Sequence, residues 1–318
     1  MLFFQTKKIQ LFIVFIIVLV VILWIFQSNF IKLMERERVI VQTPFNNEKD
    51  KENTYLEKID NFFLKEYSND QILLHTIKAD TYFSYKNSPI QIIGVEVTTF
   101  NESQEEGLVL LSNSAEIHKS GEIFFNGEVK IQTKSGISHK INTESLVFLN
   151  DNSQIKSNKE VIYFGENSKV ISDGMEMNID SDRMFLSGNV KILEDTGVVV
   201  DTKNLYISHN SGEKIYKSKE KTVYRSKDTI VNSENGIDMD MNIQLINLLG
   251  KVEVLSGNGG VLKSTNVIID QSNDGEVLKS NSLSHFKSNT VDIKAKKMHY
   301  DAVTKKLQLM NRVVAVYE

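Results

Sequence analysis

The chain has 318 residues, enough for one large domain or two ordinary ones. Its 37 Lys and Arg stand against 41 Asp and Glu, a near balance that removes any electrostatic case for nucleic acid as a partner. The absence of cysteine excludes disulfides and thiolate metal sites, and only two prolines leave loop punctuation to Asn, Asp, Ser and Gly.

Leu11 to Phe26 is an unbroken apolar run, LFIVFIIVLVVILWIF. With Ile9 before it and Phe30-Ile31 after it, the segment approaches the roughly 20 residues that cross a bilayer. No small-residue cleavage pattern follows, and the first alanine is Ala79, so a retained transmembrane helix over 9–31 is expected rather than a signal peptide. Lys7, Lys8 and the terminal amine precede the span while Lys32, Arg36 and Arg38 follow it, so charge leaves the orientation open. A short tail (1–8) lies before the helix. A solvated linker (32–57), with NNEKDKEN at 46–53, lies after it.

From about Asp60 onward apolar residues recur with period two, and no convincing helical stripe interrupts them. An all-β body is predicted. IQIIGVEV changes phase at Gly94-Val95, which predicts a bulge. FFNGEVKI (124–131), FLSGNVKI (185–192) and LLGKVEV (248–254) repeat one pattern, and LMNRVVAV (309–316) is a worn fourth copy. Val129, Val190, Val252 and Val313 are 61, 62 and 61 residues apart, a period that marks a repeat architecture. TESLVFL (143–149), TKNLYIS (202–208) and STNVIID (264–270) head the other half of each unit. Strands led by Ile155, Ile215 and Val277 follow them. Alternating runs also pair across polar turns, as in Met177/Ile179 with Met184/Leu186 and Met239/Met241 with Ile246/Leu248.

Residues two apart share a face, so Leu186, Gly188, Val190 and Ile192 point inward together. The same holds for Phe125, Gly127, Val129 and Ile131, and for Leu248, Gly250, Val252 and Val254. Two readings of the glycine stay open: an inward position that a side chain would fill, or a turn or bulge. One unit cannot bury its apolar face, whereas stacked units share an interior. That interior is either a packed core or a groove. In a groove each buried acyl methylene gains roughly 0.8 kcal/mol.

No catalytic, cofactor or metal site is expected. The six histidines are dispersed, DSD (180–182) and DMDMN (238–242) fall at hairpin turns, and SGNGG (256–260) precedes no helical pattern. At the C-terminus, Val313, Val314, Ala315, Val316 and Tyr317 form a β-rich strand suited to pairing with a partner's strand. The other reading is pairing within its own sheet.

DNFFLKEYSNDQILLHTIKADTYFSY (60–85) resembles the opening of the LptC family, the membrane-anchored component of the lipopolysaccharide export bridge. Asp60, Phe62, Phe63, Leu73, Ile77, Ala79 and Tyr82 or Tyr85 are the matching positions. Ser112, Ala115 and Ile117 follow in family order, then Ile123, Phe125, Gly127, Val129 and Ile131, and then SDGMEM with Gly174 and Met177. The resemblance covers the span and about 60–195; residues 196–318 are similar to the OstA-like repeat of LptA.

It implies a transmembrane helix followed by an elongated, twisted β-jellyroll of OstA-like repeats, open as a V-shaped groove. The LptC-like jellyroll would cover 58–195, with an LptA/OstA-like extension over 196–318. Ile77, Ala79, Ala115, Gly174 and Met177 join the inward residues above as groove candidates. Implied partners are lipopolysaccharide, the inner-membrane Lpt ATP-binding-cassette exporter, and an LptA-like periplasmic bridge protein or the outer-membrane Lpt translocon. The protein would be single-pass in the inner membrane with its bulk in the periplasm. The extension departs from the family, which usually stops near the end of the first block. A solid-core β-solenoid scaffold and a phospholipid carrier are the competing functions.

Overall fold

The computed structural model describes residues 55–317 except 69, 101–102, 135–139, 150–153, 179–182, 210–213, 228, 257–259 and 273–274. The expected transmembrane helix, the tail before it and nearly all of the linker lie outside the described residues, as does Ile179. Among those described, no helix is long and apolar enough to cross a membrane. The described residues form two compact units, one reaching Lys159 and the other starting at Glu160, with 178–181 grouped with the first.

The first unit is a meander of long strands: β1 (Glu57–Tyr67), β2 (Leu73–Ser84), β3 (Ile90–Phe100), β4 (Glu106–Ile117), β5 (Ile123–Thr133), β6 (Lys140–Leu149) and the short β7 (Gln154–Ser157). Each pairs antiparallel with the next. Period-two sequence produces this directly, because alternate side chains of a strand leave opposite faces. In β5 the alternation buries Ile123, Phe125, Val129 and Ile131 and leaves Asn126, Glu128 and Lys130 exposed. The phase change foreseen in β3 occurs without a slip of register: burial passes from Ile92 to Val95 and Val97 around Gly94 at φ +65. Ile93 and Val95 stay in one register against Ser114 and Ser112, and the irregularity in this pairing lies at Thr98–Phe100 instead.

The second unit opens with β8 (Val161–Phe164), β9 (Ser168–Asn178), β10 (Arg183–Glu194) and β11 (Val199–Ser208). Four short strands follow: β12 (Ile215–Ser218), β13 (Thr222–Ser226), β14 (Thr229–Ser233) and β15 (Ile237–Asp240). The long β16 (Leu245–Ser256) and β17 (Val261–Asp270) come next. Then come β18 (Val277–Ser280), β19 (Ser284–Lys287), β20 (Val291–Ala295), β21 (Lys297–Asp301), β22 (Lys306–Met310) and β23 (Val314–Tyr317).

The repeat has a simple wiring. One end of β11 pairs with β12 and the other with β13, and β17 divides in the same way between β18 and β19. β14 and β15 hand over to the two halves of β16. β20 and β21 hand over to β23 and β22, which fill the place of β16 one repeat later. The worn copy LMNRVVAV is therefore the long strand broken in two, with Asn311 and Arg312 both at positive φ. Every pairing is antiparallel and no helix occurs among the described residues, an all-β architecture consistent with a β-jellyroll.

Charges on the second unit mark equivalent rungs with opposite signs. Lys214 pairs with Glu166. The repeat-equivalent positions are Glu276 and Lys227, and there Lys227 is the cation beside Glu276.

Candidate functional site

The expected inward faces form. In the first unit Ala79, Ala115, Phe125, Val129 and Ile131 are buried and Ile77 is half-buried. In the second, Leu186, Val190, Ile192, Leu248, Val252 and Val254 are buried on one face. Gly174 is buried where β9 changes phase; Met175, rather than Met177, takes the sealed position, and Met177 is half-buried. Met239 is sealed as its pairing with Ile246 requires.

The recurring glycine proves to be a bulge. Gly127, Gly188 and Gly250 have φ +75, +76 and +76, and the pairing register slips at each. A Cβ on Gly188 would lie 2.7 Å from the Cβ of Asp173, and one on Gly127 would lie 2.8 Å from Nδ2 of Asn113. The glycine strand keeps its inward phase across the bulge. The facing strand changes phase instead, between Thr202 and Leu205, where Asn204 takes φ +51. Asn204 Oδ1 accepts the Gly188 N–H at 3.1 Å, and Asn266 Oδ1 accepts that of Gly250 at 2.8 Å. An orphan amide at the bulge is thus satisfied by the residue type that best tolerates the left-handed region.

Two further features escaped the sequence reading. The first is a set of buried hydroxyl clusters. Thr202 Oγ1 lies 2.9 Å from both Ser218 Oγ and Thr222 Oγ1, and Ser264 Oγ lies 2.9 Å from both Ser280 Oγ and Ser284 Oγ. In the first unit the pair Thr143–Ser157, at 2.9 Å, corresponds to them. The available signal was the Thr or Ser at the third-last position before each Leu or Val of the signature, with a Ser closing the next strand. The second is a row of inward tyrosines with anchored hydroxyls. Tyr163 Oη lies 3.0 Å from His209 Nε2, Tyr216 Oη 3.4 Å from Ser168 Oγ, and Tyr224 Oη accepts from Gln271 Nε2 at 3.0 Å. Burial raises the pKa of all three phenols.

Beside Tyr224, burial also pushes the carboxyls of Glu276 and Glu194 above the ordinary glutamate value. A carboxyl raised in the folded state binds protons that the unfolded chain has already released, so stability falls as pH rises through that window. Glu276→Gln should therefore flatten the loss of thermal stability between weakly acidic and neutral pH and raise the melting temperature at pH 7. A melting temperature lowered at pH 7 would show that the charged form is the better-held one.

The C-terminal candidates split the two readings offered for them. Val314, Ala315 and Val316 pair with β20, while their side chains, like those of Val313 and Tyr317, are exposed. β23 pairs with β20 alone among the described strands, as β1 does with β2. No group of three or more His, Asp and Glu side chains among the described residues could hold a metal.

A family model described as "Lipopolysaccharide-assembly, LptC-related" matches residues 12–195, more than half of the chain. The chain belongs to the LptC-related family. The LptC-related segment takes in most of the apolar run near the N-terminus, all of β1 to β10, and two of the three glycine bulges. Strands β11 to β23 lie beyond it. No curated protein matches the chain.

Proposed function

We propose that this LptC-related protein is a non-enzymatic, single-pass inner-membrane component of a lipopolysaccharide transport bridge, with its β body in the periplasm. The inward apolar face shelters acyl chains while they cross the aqueous space, and the strand edges at β1 and β23 join neighbours in the bridge. The family match across 12–195 carries this reading, because one segment contains both an apolar run suited to anchoring and the first inward-facing strands. The physical argument is solvation. An acyl chain of 14 carbons gains on the order of 10 kcal/mol when fully sheltered, so it moves only along surfaces that keep it out of water. Partners on this reading are an ATP-driven exporter at the inner membrane and a periplasmic bridge protein or outer-membrane translocon. We read 58–195 as the LptC-like jellyroll and 196–318 as an LptA/OstA-like extension.

Photocrosslinking in living cells tests it. A photoreactive phenylalanine in place of Phe125 or Ile131, with Lys130 as the outward control, should yield lipopolysaccharide adducts at the inward sites alone. Phospholipid adducts instead would make the protein a phospholipid carrier. A folded protein with no lipid adduct at either inward site would make the body a packed scaffold.

A further inference from the structure

The two units differ in how well their interiors exclude water. Along the inner face of the first, bulky side chains retain a little exposure: 5% at Ile92, Phe125 and Ile131, and 7% at Leu110. At Phe62, Leu64 and Ile77 the inward side chains are only half-buried. The exposure falls to 1% at Ala115, Val129 and Leu146. In the second unit several equivalent side chains are drier: Leu186, Ile192, Val231, Leu248 and Val267 all show 0%, although Met184 matches its equivalent Ile123 at 5%. Of the twelve bulkiest side chains with essentially no exposure, Leu146 alone belongs to the first unit.

What fills the second unit is specific. Tyr163, Tyr216 and Tyr224 project inward, and each hydroxyl is held by a hydrogen-bonding partner on another part of the same unit. The three-hydroxyl clusters at Thr202 and Ser264 lie in the same interior. A hydrocarbon chain entering there would have to displace anchored rings and strand hydroxyls that it cannot hydrogen-bond, so those groups would become buried and unpaired. Strands β1 to β5 contain no such hydroxyl cluster among their described residues, and their inward tyrosine, Tyr82, stacks on Phe62 at 5.1 Å between ring centres. Polar groups on this face are local, with buried His75 3.4 Å from Glu66 and the Tyr82 hydroxyl bonded to Ser84. Phe62, Leu64, Ile92 and Ile131 offer ring and aliphatic surface that an acyl chain can cover.

Resting on the lipid-transport reading, we propose that acyl chains are taken up by the inner face of β1–β5. The second unit has a dry, hydrogen-bonded core and acts as a rigid arm that carries the edge strand β23, rather than as a continuation of the lipid path. Inward residues such as Val190 and Val252 then serve the core of the arm.

The cysteine-free sequence supplies the test. Single thiols are introduced in the full-length protein at Ile92→Cys, Leu110→Cys and Ile131→Cys in the first unit. Val231→Cys, Leu248→Cys and Val252→Cys serve the second. Alkylation by a small charged thiol reagent is followed with and without purified lipopolysaccharide. Thiols of the first unit should react and be protected by lipopolysaccharide. Those of the second should react on the order of 100-fold more slowly, through opening of the fold, with no effect of the lipid. Val231→Cys and Val252→Cys change volume little, so they keep the comparison intact if Leu248→Cys unfolds. Lipopolysaccharide protection in both units would overturn the proposal and leave lipid transport standing. Reactive first-unit thiols that the lipid never protects would overturn both.

Discussion

Replacing Gly236 with alanine should lower the thermal unfolding temperature of the second unit by on the order of 10 °C. Gly236 links β14 to β15 at φ +99, a conformation that costs an L-residue roughly 1–3 kcal/mol on its own. The added methyl would also run into the carbonyl group of Ser218 and come within 2.8 Å of the Cα of Lys219. Those are backbone atoms of the neighbouring turn and cannot rotate away. The carbonyl of Gly236 accepts the Leu249 N–H at 3.0 Å, so any shift of the turn also disturbs the start of the Gly250 bulge. The combined cost is about 3–5 kcal/mol. Gly197→Ala is the control: φ is +87, but nothing lies within 4 Å of its Cβ, so only the conformational part is lost. Calorimetry on the two variants separates the terms. Equal destabilisation would mean that the turn at Ser218 yields and the steric argument is wrong.

Tyr224→Ala should cost about 3–5 kcal/mol, against roughly 1–2 for Tyr224→Phe. The ring is fully buried, and its hydroxyl accepts a 3.0 Å hydrogen bond from Gln271. Phenylalanine keeps the ring but takes the phenol away from both the Gln271 amide and the Glu276 carboxyl; alanine also leaves a cavity the size of the ring. Denaturant unfolding of the pair measures the packing part by difference. A near-neutral Tyr224→Ala would mean that the interior closes up or already contains slack, which is how a lipid groove behaves and a core does not. The prediction thus bears on the dry-arm proposal without any lipid in the experiment.

The strand positions were legible because alternation and the period of 61 or 62 residues act locally. TESLVFL, TKNLYIS and STNVIID fall in β6, β11 and β17, and the alternation of β3 changes phase at Gly94-Val95 as expected, though without the slip of register that a bulge would bring. What the sequence leaves undecided has a physical reason in each case. Leu186-Ser-Gly188-Asn-Val190 has the same alternation whether Gly188 makes room for a ligand or bends the strand. The deciding fact is Asp173, which lies 15 residues earlier and packs against the glycine. Asp80, Asn113 and Asn235 stand in the same relation to Gly94, Gly127 and Gly250, so an Asx 14 or 15 residues before the glycine was a readable signal. Groove and core also share one hydropathy pattern, since both want apolar side chains facing in. Only the anchored tyrosines and the hydroxyl clusters distinguish them, and these depend on contacts between residues such as Tyr224 and Gln271, 47 positions apart. At the chain end, RVVAVYE reads as a free edge or a paired strand, and β23 is both, since it pairs on one side only among the described strands.

A ribbon of near-identical rungs has an addressing problem: nothing in a shared apolar face tells one rung from the next, and a slip by a whole period keeps every greasy residue inside. The opposite polarity of Glu166–Lys214 and Lys227–Glu276 gives the rungs an address. A chain mis-threaded by one repeat would set Glu166 against Glu276, or Lys227 against Lys214, exchanging attraction for repulsion. The Glu166–Lys214 pair is weak because its carboxylate is exposed, and Lys227 only partly offsets the cost of burying the Glu276 carboxyl. Together they are too little to hold the fold but enough to bias the choice between two otherwise equivalent registers. An array built by copying one repeat verbatim would lose that address, and it should populate shifted and intermolecularly exchanged forms that the natural chain avoids.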